Sequence, residues 1–259
     1  MGPSDGIDMP RIPKTYRASC IVLNRTKLSE QDLIVTMLAD TGEQVRAVAK
    51  GGRKPGSRLS GPTDYFCVSD MLIRRGKGSL DFISEAHLEN AHTSIRGDMD
   101  KYSAAAAIIE IARVTSYEDA PDAFGFPICA KALDICERTD AISHLNLLVA
   151  AYIFKILAHL GWRPNLDCCV LCSEEDLSYF SCEAGGVVCS SCASEAASLD
   201  AVDKEDIRWI EFLLMATFDQ IVQTDILDHQ ALWLLKLAHR WAATHLDLRL
   251  IAVEFMAGV

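Results

Sequence analysis

The chain has 259 residues, half of them hydrophobic, and a formal net charge of −11 at pH 7. This composition supplies enough apolar material for one or two globular domains and excludes a largely disordered chain. The N-terminus lacks the pattern of a signal peptide, and no apolar run is long and uncharged enough to span a bilayer. We therefore expect a cytoplasmic protein that does not enter a membrane.

The charge is divided unevenly along the chain. Residues 1–80 carry a net charge of +5, whereas residues 81–259 carry −16. Between residues 46 and 77, eight basic residues are opposed only by Asp64 and Asp70. A local basic face on an acidic body is a candidate polyanion site, although solvated turn residues explain the charge equally well.

The pattern in the first third of the chain predicts a small β-barrel. Residues 1–13 are polar and contain proline, and we expect them to be disordered. Residues 14–84 then show about five short β-type runs separated by turn signals. The runs lie at residues 17–23, 32–38, 44–49, 65–74 and 80–84. Such a series predicts an OB-fold barrel. Residues 50–62 are too rich in Gly, Pro and basic residues for a strand, and they predict a mobile basic loop.

After residue 85 the apolar period becomes helical. Helices are predicted at residues 101–114, 122–138, 143–160, 204–222 and 228–245. The third of these is apolar nearly all round, which is typical of a buried central helix. The fold class is thus α+β, with a helical domain made of residues 85–165 and 199–259.

Four of the ten cysteines form two Cys-x-x-Cys pairs. Cys169 and Cys172 make the first pair, Cys189 and Cys192 make the second, and sixteen residues separate the pairs. This spacing is typical of a zinc ribbon, in which four thiolates hold one Zn²⁺ and leave no coordination position open, so that the metal is structural. Residues 166–198 therefore predict a zinc ribbon inserted in the helical domain. Ordinary buried thiols are the alternative.

The other six cysteines are not needed for this site. We interpret Cys168 and Cys182 as bystanders, because Cys169 gives the two-residue spacer that Cys168 would lengthen. The remaining four, Cys20, Cys67, Cys129 and Cys136, fall in apolar strand or helix patterns and are expected in the core. In a cytosolic protein, reduced thiols bind metal more often than they form disulfides.

At this point the residues resemble a known family. The runs that carry the resemblance are IVL at 21–23, SEQD at 29–32, AKGGRKPGSRL at 49–59, LGWRPNLDCCVLC at 160–172, and YFS at 179–181 followed by GGVVC at 185–189. Together they are similar to the RecO family of bacterial recombination mediators. The resemblance covers nearly the whole chain from Tyr16, and the Leu-Gly-Trp-x-Pro run before the first cysteine pair is its most specific part.

The resemblance implies a function. RecO-like proteins bind single- and double-stranded DNA and anneal complementary strands. The resemblance also implies partnership with RecR and with the C-terminal tail of the single-strand DNA-binding protein, and indirect action on RecA, whose loading onto DNA they assist. A protein with this role is expected in the cytoplasm, associated with the nucleoid. The acidic helical part gives little independent sign of a second DNA surface.

Six cations are the predicted phosphate contacts, because Lys and Arg bind DNA backbones irrespective of sequence. They are Lys50, Arg53, Lys54 and Arg58 on the basic loop, with Arg74 and Lys77 on a neighbouring turn. Base stacking requires aromatic side chains. Tyr65, Phe66 and Phe82 are available, and core packing is the alternative for each of them.

No catalytic site is predicted. Gly51 and Gly56 have the glycine spacing of a phosphate-binding P-loop, but Ser57-Arg58 stands where Lys-Ser/Thr is required. We therefore expect a non-enzyme. The competing function is a zinc-containing protein-interaction scaffold without direct DNA binding. An apolar groove near Trp233, Leu237 and Trp241 is a candidate docking site for a partner tail, with core packing as its alternative.

Overall fold

The computed structural model describes residues 14–259. The N-terminal tail that we expect to be disordered, residues 1–13, lies outside the described residues. The chain forms a five-stranded barrel, followed by a helical domain that carries a small sheet beside four clustered cysteines. The predicted α+β class, an OB-like barrel followed by helices, is confirmed.

The barrel strands alternate between an inner and an outer face. They are β1 (Thr15–Lys27), β2 (Leu33–Ala39), β3 (Gln44–Ala49), β4 (Val68–Arg74) and β5 (Asp81–Asn90). The barrel closes in the order β1-β2-β3-β5-β4, and β4 pairs back onto β1. Val35, Met37, Ala47, Met71 and Ile73 are fully buried inside it. Apolar side chains at every second position thus fill the barrel interior.

The fifth strand runs past residue 84, where we expected the barrel to end. Its second half pairs with β4 as far as Asn90, but Glu85, His87 and Glu89 are exposed. A strand with few buried positions shows no apolar alternation in its sequence. The last barrel strand therefore ends at Asn90.

The helical domain is built around one buried helix. Its helices are α1 (Met99–Thr115), α2 (Gly125–Arg138), α3 (Ile142–His159), α4 (Lys204–Met215), α5 (Phe218–Ile221), α6 (Asp228–Leu246) and α7 (Ile251–Ala257). Helix α3 packs against α1, α2, α4, α5 and α6. By length and composition it is the one described helix that is long and apolar enough to cross a membrane, and 72% of it is buried inside the protein.

Two features of the C-terminal helices differ from the prediction. The helix expected over residues 204–222 is broken, because α4 ends at Met215 and Thr217 starts α5. The Thr217 hydroxyl accepts a hydrogen bond from the Gln220 backbone N–H, and the Gln220 side chain bonds back to the Thr217 N–H. This capping box favours a new helix start. Helix α7 was not predicted.

The barrel and the helices share a core. Ile21, Leu23 and Leu38 lie on the outer faces of β1 and β2 and belong to the same buried cluster as the helices. Beside Leu38, the Gln44 side chain donates to the Arg113 carbonyl oxygen at 2.8 Å. The helical domain therefore covers one end of the outer face formed by β2 and β3.

The cysteine insertion carries a three-stranded sheet. Its strands are β6 (Tyr179–Ser181), β7 (Gly186–Val188) and β8 (Leu199–Ala201), in the order β7-β6-β8. Strand β8 lies just beyond residue 198, the predicted end of the ribbon. Phe180 and Val187 pack into the main helical core, whereas Tyr179 and Val188 pack with Cys169 and Cys189. One side of the hairpin thus faces the helices and the other faces the cysteine pairs.

Candidate metal centre and nucleic-acid interface

The two predicted cysteine pairs meet in one cluster. The Sγ atoms of Cys169, Cys172, Cys189 and Cys192 all lie within 4.8 Å of one another, and those of Cys172 and Cys189 are 3.6 Å apart. In a tetrahedral Zn²⁺ site with Zn–S bonds of about 2.3 Å, sulfur atoms lie about 3.8 Å apart. The cluster therefore has the size and donor chemistry of a four-thiolate metal site, consistent with Zn²⁺.

Tight turns present these sulfurs. The Cys169 carbonyl oxygen accepts a hydrogen bond from the Ser173 N–H at 2.9 Å, and the Cys189 carbonyl accepts one from the Cys192 N–H at 3.2 Å. The Val170 N–H donates to the Val187 carbonyl at 3.0 Å, which ties the first turn to β7. Each pair thus sits on a turn whose backbone is hydrogen-bonded within the insertion.

The environment of the cluster promotes ionisation of one thiol. Burial raises the pKa of Cys169, but hydrogen bonds from the backbone N–H groups of Cys189, Leu171 and Cys172 outweigh it and lower that pKa to about 6. Hydrogen bonds to the sulfurs of Cys172 and Cys189 instead raise the pKa of the Cys192 thiol. Without a cation, ionisation of one thiol thus disfavours ionisation of its neighbour. A divalent cation would allow all four thiols to ionise, because it stabilises all four thiolates at once.

The insertion is anchored through the Leu-Gly-Trp-x-Pro run. The Asn165 carbonyl oxygen accepts a hydrogen bond from the Val187 N–H at 3.0 Å, beside Gly186, where any Cβ would overlap the Asn165 backbone. On the other side of the run, the Trp241 indole N–H of α6 donates to the Trp162 carbonyl at 3.1 Å. The run and the adjoining Asn165 therefore join the end of α3, the ribbon hairpin and α6.

The remaining cysteines lie apart from the cluster and form no disulfide among the described residues. Cys182 is buried in the helical core and Cys168 is half-buried. Cys20 and Cys67 are buried in the barrel, and Cys129 and Cys136 in the helices. Burial raises the pKa of the Cys129 and Cys136 thiols to about 12, so these two side chains behave as small apolar residues.

A row of outward-facing side chains crosses the barrel at its free end, which is the end away from Leu38 and the helical domain. Strand register pairs Ile34 of β2 with Val48 of β3. Val48 lies opposite Phe82 of β5, and Phe82 lies opposite Arg74 of β4. Paired residues on neighbouring strands point to the same side of a sheet. Ile83, the next residue of β5, points into the barrel core, so these four residues form an outward row.

Two of the predicted phosphate contacts lie over the aromatic ring of this row. The Arg74 Cζ atom is 4.5 Å from the centroid of the Phe82 ring, and the Lys50 Nζ atom is 5.6 Å from it. Lys50 follows β3 directly and stands two residues after Val48, on the same outward side. The structure thus brings Lys50, Arg74 and a half-buried ring together.

Arg53 has a different environment. Its Nη1 atom donates to the Glu30 carbonyl at 3.0 Å and to the Ser29 carbonyl at 3.3 Å, and its backbone N–H donates to the Gln31 carbonyl at 3.0 Å. These bonds tie the connection between β3 and β4 to the turn between β1 and β2. Arg53 therefore positions the loop, and a phosphate would have to compete with two carbonyl oxygens for its guanidinium.

The connection from β3 to β4 is a chain of turns, where we expected a mobile loop. The backbone N–H groups of Lys54, Ser57 and Ser60 each donate to the carbonyl three residues earlier. The Thr63 hydroxyl donates to the Leu59 carbonyl at 2.6 Å. These bonds define the path of the segment, and they were not visible in its Gly- and Pro-rich composition.

The predicted cations are exposed and lack acidic partners. Lys54 and Arg58 lie on these turns, and Lys77 lies on the turn between β4 and β5. Within residues 14–259, none of the six cations has a carboxylate oxygen within 4.0 Å, whereas three other barrel cations, Arg17, Arg25 and Arg46, each have at least one. The positive charge of the six is therefore available to an external anion.

The other candidate contacts have internal partners. Phe66 is buried and packs edge-on against Tyr102, with ring centroids 5.2 Å apart. Tyr65 is half-buried beside Arg25, at the junction with the helices. Leu237 and Trp241 are buried in the helical core, which leaves Trp233 half-buried at the surface. Phe82 is thus the one proposed aromatic that lies beside the unpaired cations.

Comparison with known proteins agrees with the fold. Residues 13–92 match the family described as Recombination protein O N terminal, and residues 96–252 match Recombination protein O C terminal. The chain is also 27% identical over 246 residues to a DNA repair protein RecO from Desulforamulus reducens, with 94% of each chain covered. The chain belongs to the RecO family. Membership assigns it to DNA repair.

Further relatives support this membership. The chain is 32% identical over 213 residues to a DNA repair protein RecO from Bifidobacterium longum, with 81% of this chain and 83% of the relative covered. It is 34% identical over 179 residues to one from Bifidobacterium animalis, covering 67% and 72%. The two RecO matches divide between Asn90, where β5 ends, and Met99, where α1 begins.

Proposed function

We propose that this RecO-family protein is a recombination mediator that binds single- and double-stranded DNA, anneals complementary strands and helps to load the RecA recombinase onto DNA coated by single-strand DNA-binding protein. The observation that carries the proposal is the end of the barrel away from the helices, where Lys50 and Arg74 lie over Phe82 and have no acidic partner among residues 14–259. In OB-folds, the face of strands 2 and 3 and the adjoining loops bind oligonucleotides.

Annealing fits a surface of this kind. Two complementary strands repel each other through their phosphates, and cations that engage both strands lower this repulsion while releasing counterions. Lys50, Lys54, Arg58, Arg74 and Lys77 present exposed charge without a rigid hydrogen-bonding pattern for base edges. Such a surface holds strands irrespective of sequence and leaves the bases free to pair.

The remaining parts of the proposal follow from the same family role. The four-cysteine cluster takes Zn²⁺ as a structural ion, because four protein ligands leave no open position for a substrate. The protein acts without catalysis, in partnership with RecR and the C-terminal tail of the single-strand DNA-binding protein. It works in the cytoplasm, at the nucleoid.

A band-shift experiment with oligonucleotides of arbitrary sequence tests DNA binding. We expect the wild-type protein to bind single strands and duplexes at 50 mM salt and much more weakly at 200 mM salt. The double variant Arg74→Ala/Lys77→Ala should weaken binding to every sequence and reduce the salt dependence. The matched control is Lys204→Ala/Arg208→Ala, which removes two exposed cations from α4.

The outcomes separate the two functions. Equal binding by the wild type and the barrel variant would place the DNA surface elsewhere. No shift at low salt, with either DNA form, would favour the protein-interaction scaffold. Annealing is tested with complementary strands coated by single-strand DNA-binding protein. A requirement for ATP in that assay would contradict the non-enzymatic mechanism.

A further inference from the structure

We propose that Phe82, with the Arg74 guanidinium over its ring, is a base-stacking platform that makes the barrel prefer single-stranded over double-stranded nucleic acid. This inference rests on the proposed DNA binding and specifies how an unpaired base is held. Its ligand is a nucleotide of a single strand, with the base on the ring and the neighbouring phosphates on the flanking cations.

The strand register fixes the position of the platform. Phe82 is at the start of β5, opposite Val48 on one side and Arg74 on the other. Because Ile83 fills the barrel interior, the Phe82 side chain must point outward. The helical domain covers the opposite end of this face, near Leu38, and leaves the Phe82 end uncovered. Within residues 14–259, the half-buried Phe82 ring belongs to none of the hydrophobic clusters, so the described cores do not require an aromatic residue at this position.

The cations around the ring explain why a base is the preferred occupant. Arg74 Cζ lies 4.5 Å from the ring centroid, which is a cation–π contact, and its planar guanidinium extends the aromatic surface. Nucleic-acid bases stack on aromatic rings and on guanidinium planes alike. Lys50, 5.6 Å from the same centroid, can follow the phosphate of the stacked nucleotide.

The same geometry selects single strands. An unpaired base offers a free face to Phe82, whereas the faces of bases inside a duplex are already stacked on their neighbours. A duplex can therefore use only the cations of this site. Tyr65 and Phe66 offer no competing platform, because Tyr65 packs against the helical core beside an Arg25 that is paired with Asp64, and Phe66 is buried against Tyr102.

The test compares Phe82→Leu with Phe82→Tyr and with Phe255→Leu, which makes the same substitution at an exposed site on α7. The probes are a thymidine oligonucleotide, an abasic strand of equal length and a duplex. Loss of one stacked base should weaken thymidine binding by Phe82→Leu about 5- to 150-fold. Binding of the abasic strand and the duplex should not change. The salt slope should also stay constant because no charge is removed, and Phe82→Tyr and Phe255→Leu should bind like the wild type.

The failures of the two proposals are distinguishable. If the wild type binds none of the three probes, DNA binding itself is refuted, and the platform with it. If the wild type binds but Phe82→Leu keeps its affinity for thymidine strands, only the platform is refuted. Equal weakening on the abasic strand would also overturn it, because Phe82 would then merely hold the cations in place.

A second measurement covers the case in which Phe82→Leu does not fold, as judged by thermal melting. A single strand containing 2-aminopurine is titrated with the wild-type protein. Stacking should quench its fluorescence, and Arg74→Ala should reduce that quenching at saturating protein. Binding without quenching by the wild type would overturn the platform.

Discussion

Removing the metal from the cysteine cluster should unfold only the outer half of the insertion. The cluster around Cys169, Val188 and Cys189 is small and separate from the main core, so little apolar burial holds its turns without an ion. In isolated peptides, zinc binding contributes about 10–16 kcal/mol to folding. The turns carrying the cysteine pairs should therefore lose their order when zinc is removed.

The inner half of the hairpin should stay in place. Phe180 and Val187 are fully buried against the helices, and each such side chain contributes about 1.5–3 kcal/mol by apolar burial. Trp241 packs against Phe180 with ring centroids 5.5 Å apart and also bonds to the Trp162 carbonyl. These contacts do not involve the metal, so the helical domain should keep its cooperative unfolding transition.

Elemental analysis and limited proteolysis provide the measurements. We expect one zinc ion per chain in protein purified without chelator, and none in Cys189→Ala. Chelation should expose new cleavage sites within residues 169–176 and 189–196 while the main thermal transition shifts by only a few degrees. Cys168→Ser is the matched control and should retain the zinc. Zinc-free wild-type protein, or loss of the ion in Cys168→Ser, would refute the assignment of the four ligands.

Substitutions at three further positions test the packing. Trp241→Ala should cost about 3–5 kcal/mol in urea unfolding because a fully buried ring is removed. His92 is buried with φ 43°, and its ring nitrogens lie 2.8 Å from the Phe66 carbonyl oxygen and 2.9 Å from Asp134, so His92→Asn should cost about 1–3 kcal/mol and His92→Leu more. Burial lowers the pKa of Lys155 to about 8. Between pH 8 and the unfolded pKa the unfolded chain binds more protons, so the melting temperature of the wild type relative to Lys155→Met should rise as pH rises through this window.

Local patterns in the sequence predicted the elements whose signals are strong. The Cys-x-x-Cys pairs identified four residues whose sulfur atoms do cluster, because their spacing over a hairpin is set by local turn geometry. The apolar run of α3 predicted a central helix, and burial on all sides agrees with it. In contrast, the exposed half of β5 lacked any alternation, and the Thr217 capping box was overlooked inside an apolar pattern that continued across it.

The candidate DNA surface depended on information that spacing does not contain. Charge alone favours Lys50 and Arg74 as phosphate contacts. The sequence does not distinguish Phe82 from Tyr65 and Phe66 as a candidate for base stacking. Their meeting depends on the register of β3, β4 and β5, which is set by long-range pairing and the closure of the barrel. Charge alone is also misleading for Arg53. Its basic character predicts a phosphate contact, but its hydrogen bonds to two carbonyl oxygens give it a role in positioning the loop.

The charge distribution limits the path that DNA can take. Residues 81–259 carry a net charge of −16, and the helices they form cover the Leu38 end of the barrel face. At physiological salt, like charges repel strongly within a Debye length of about 8 Å, so a bound strand should be kept off the helices and should cross the end of the barrel that the helices leave uncovered. The six predicted phosphate contacts would together give a slope of log K against log salt of about −4 for single strands. A measured slope well beyond this value would require cations outside the predicted set and would refute a surface made of these six alone.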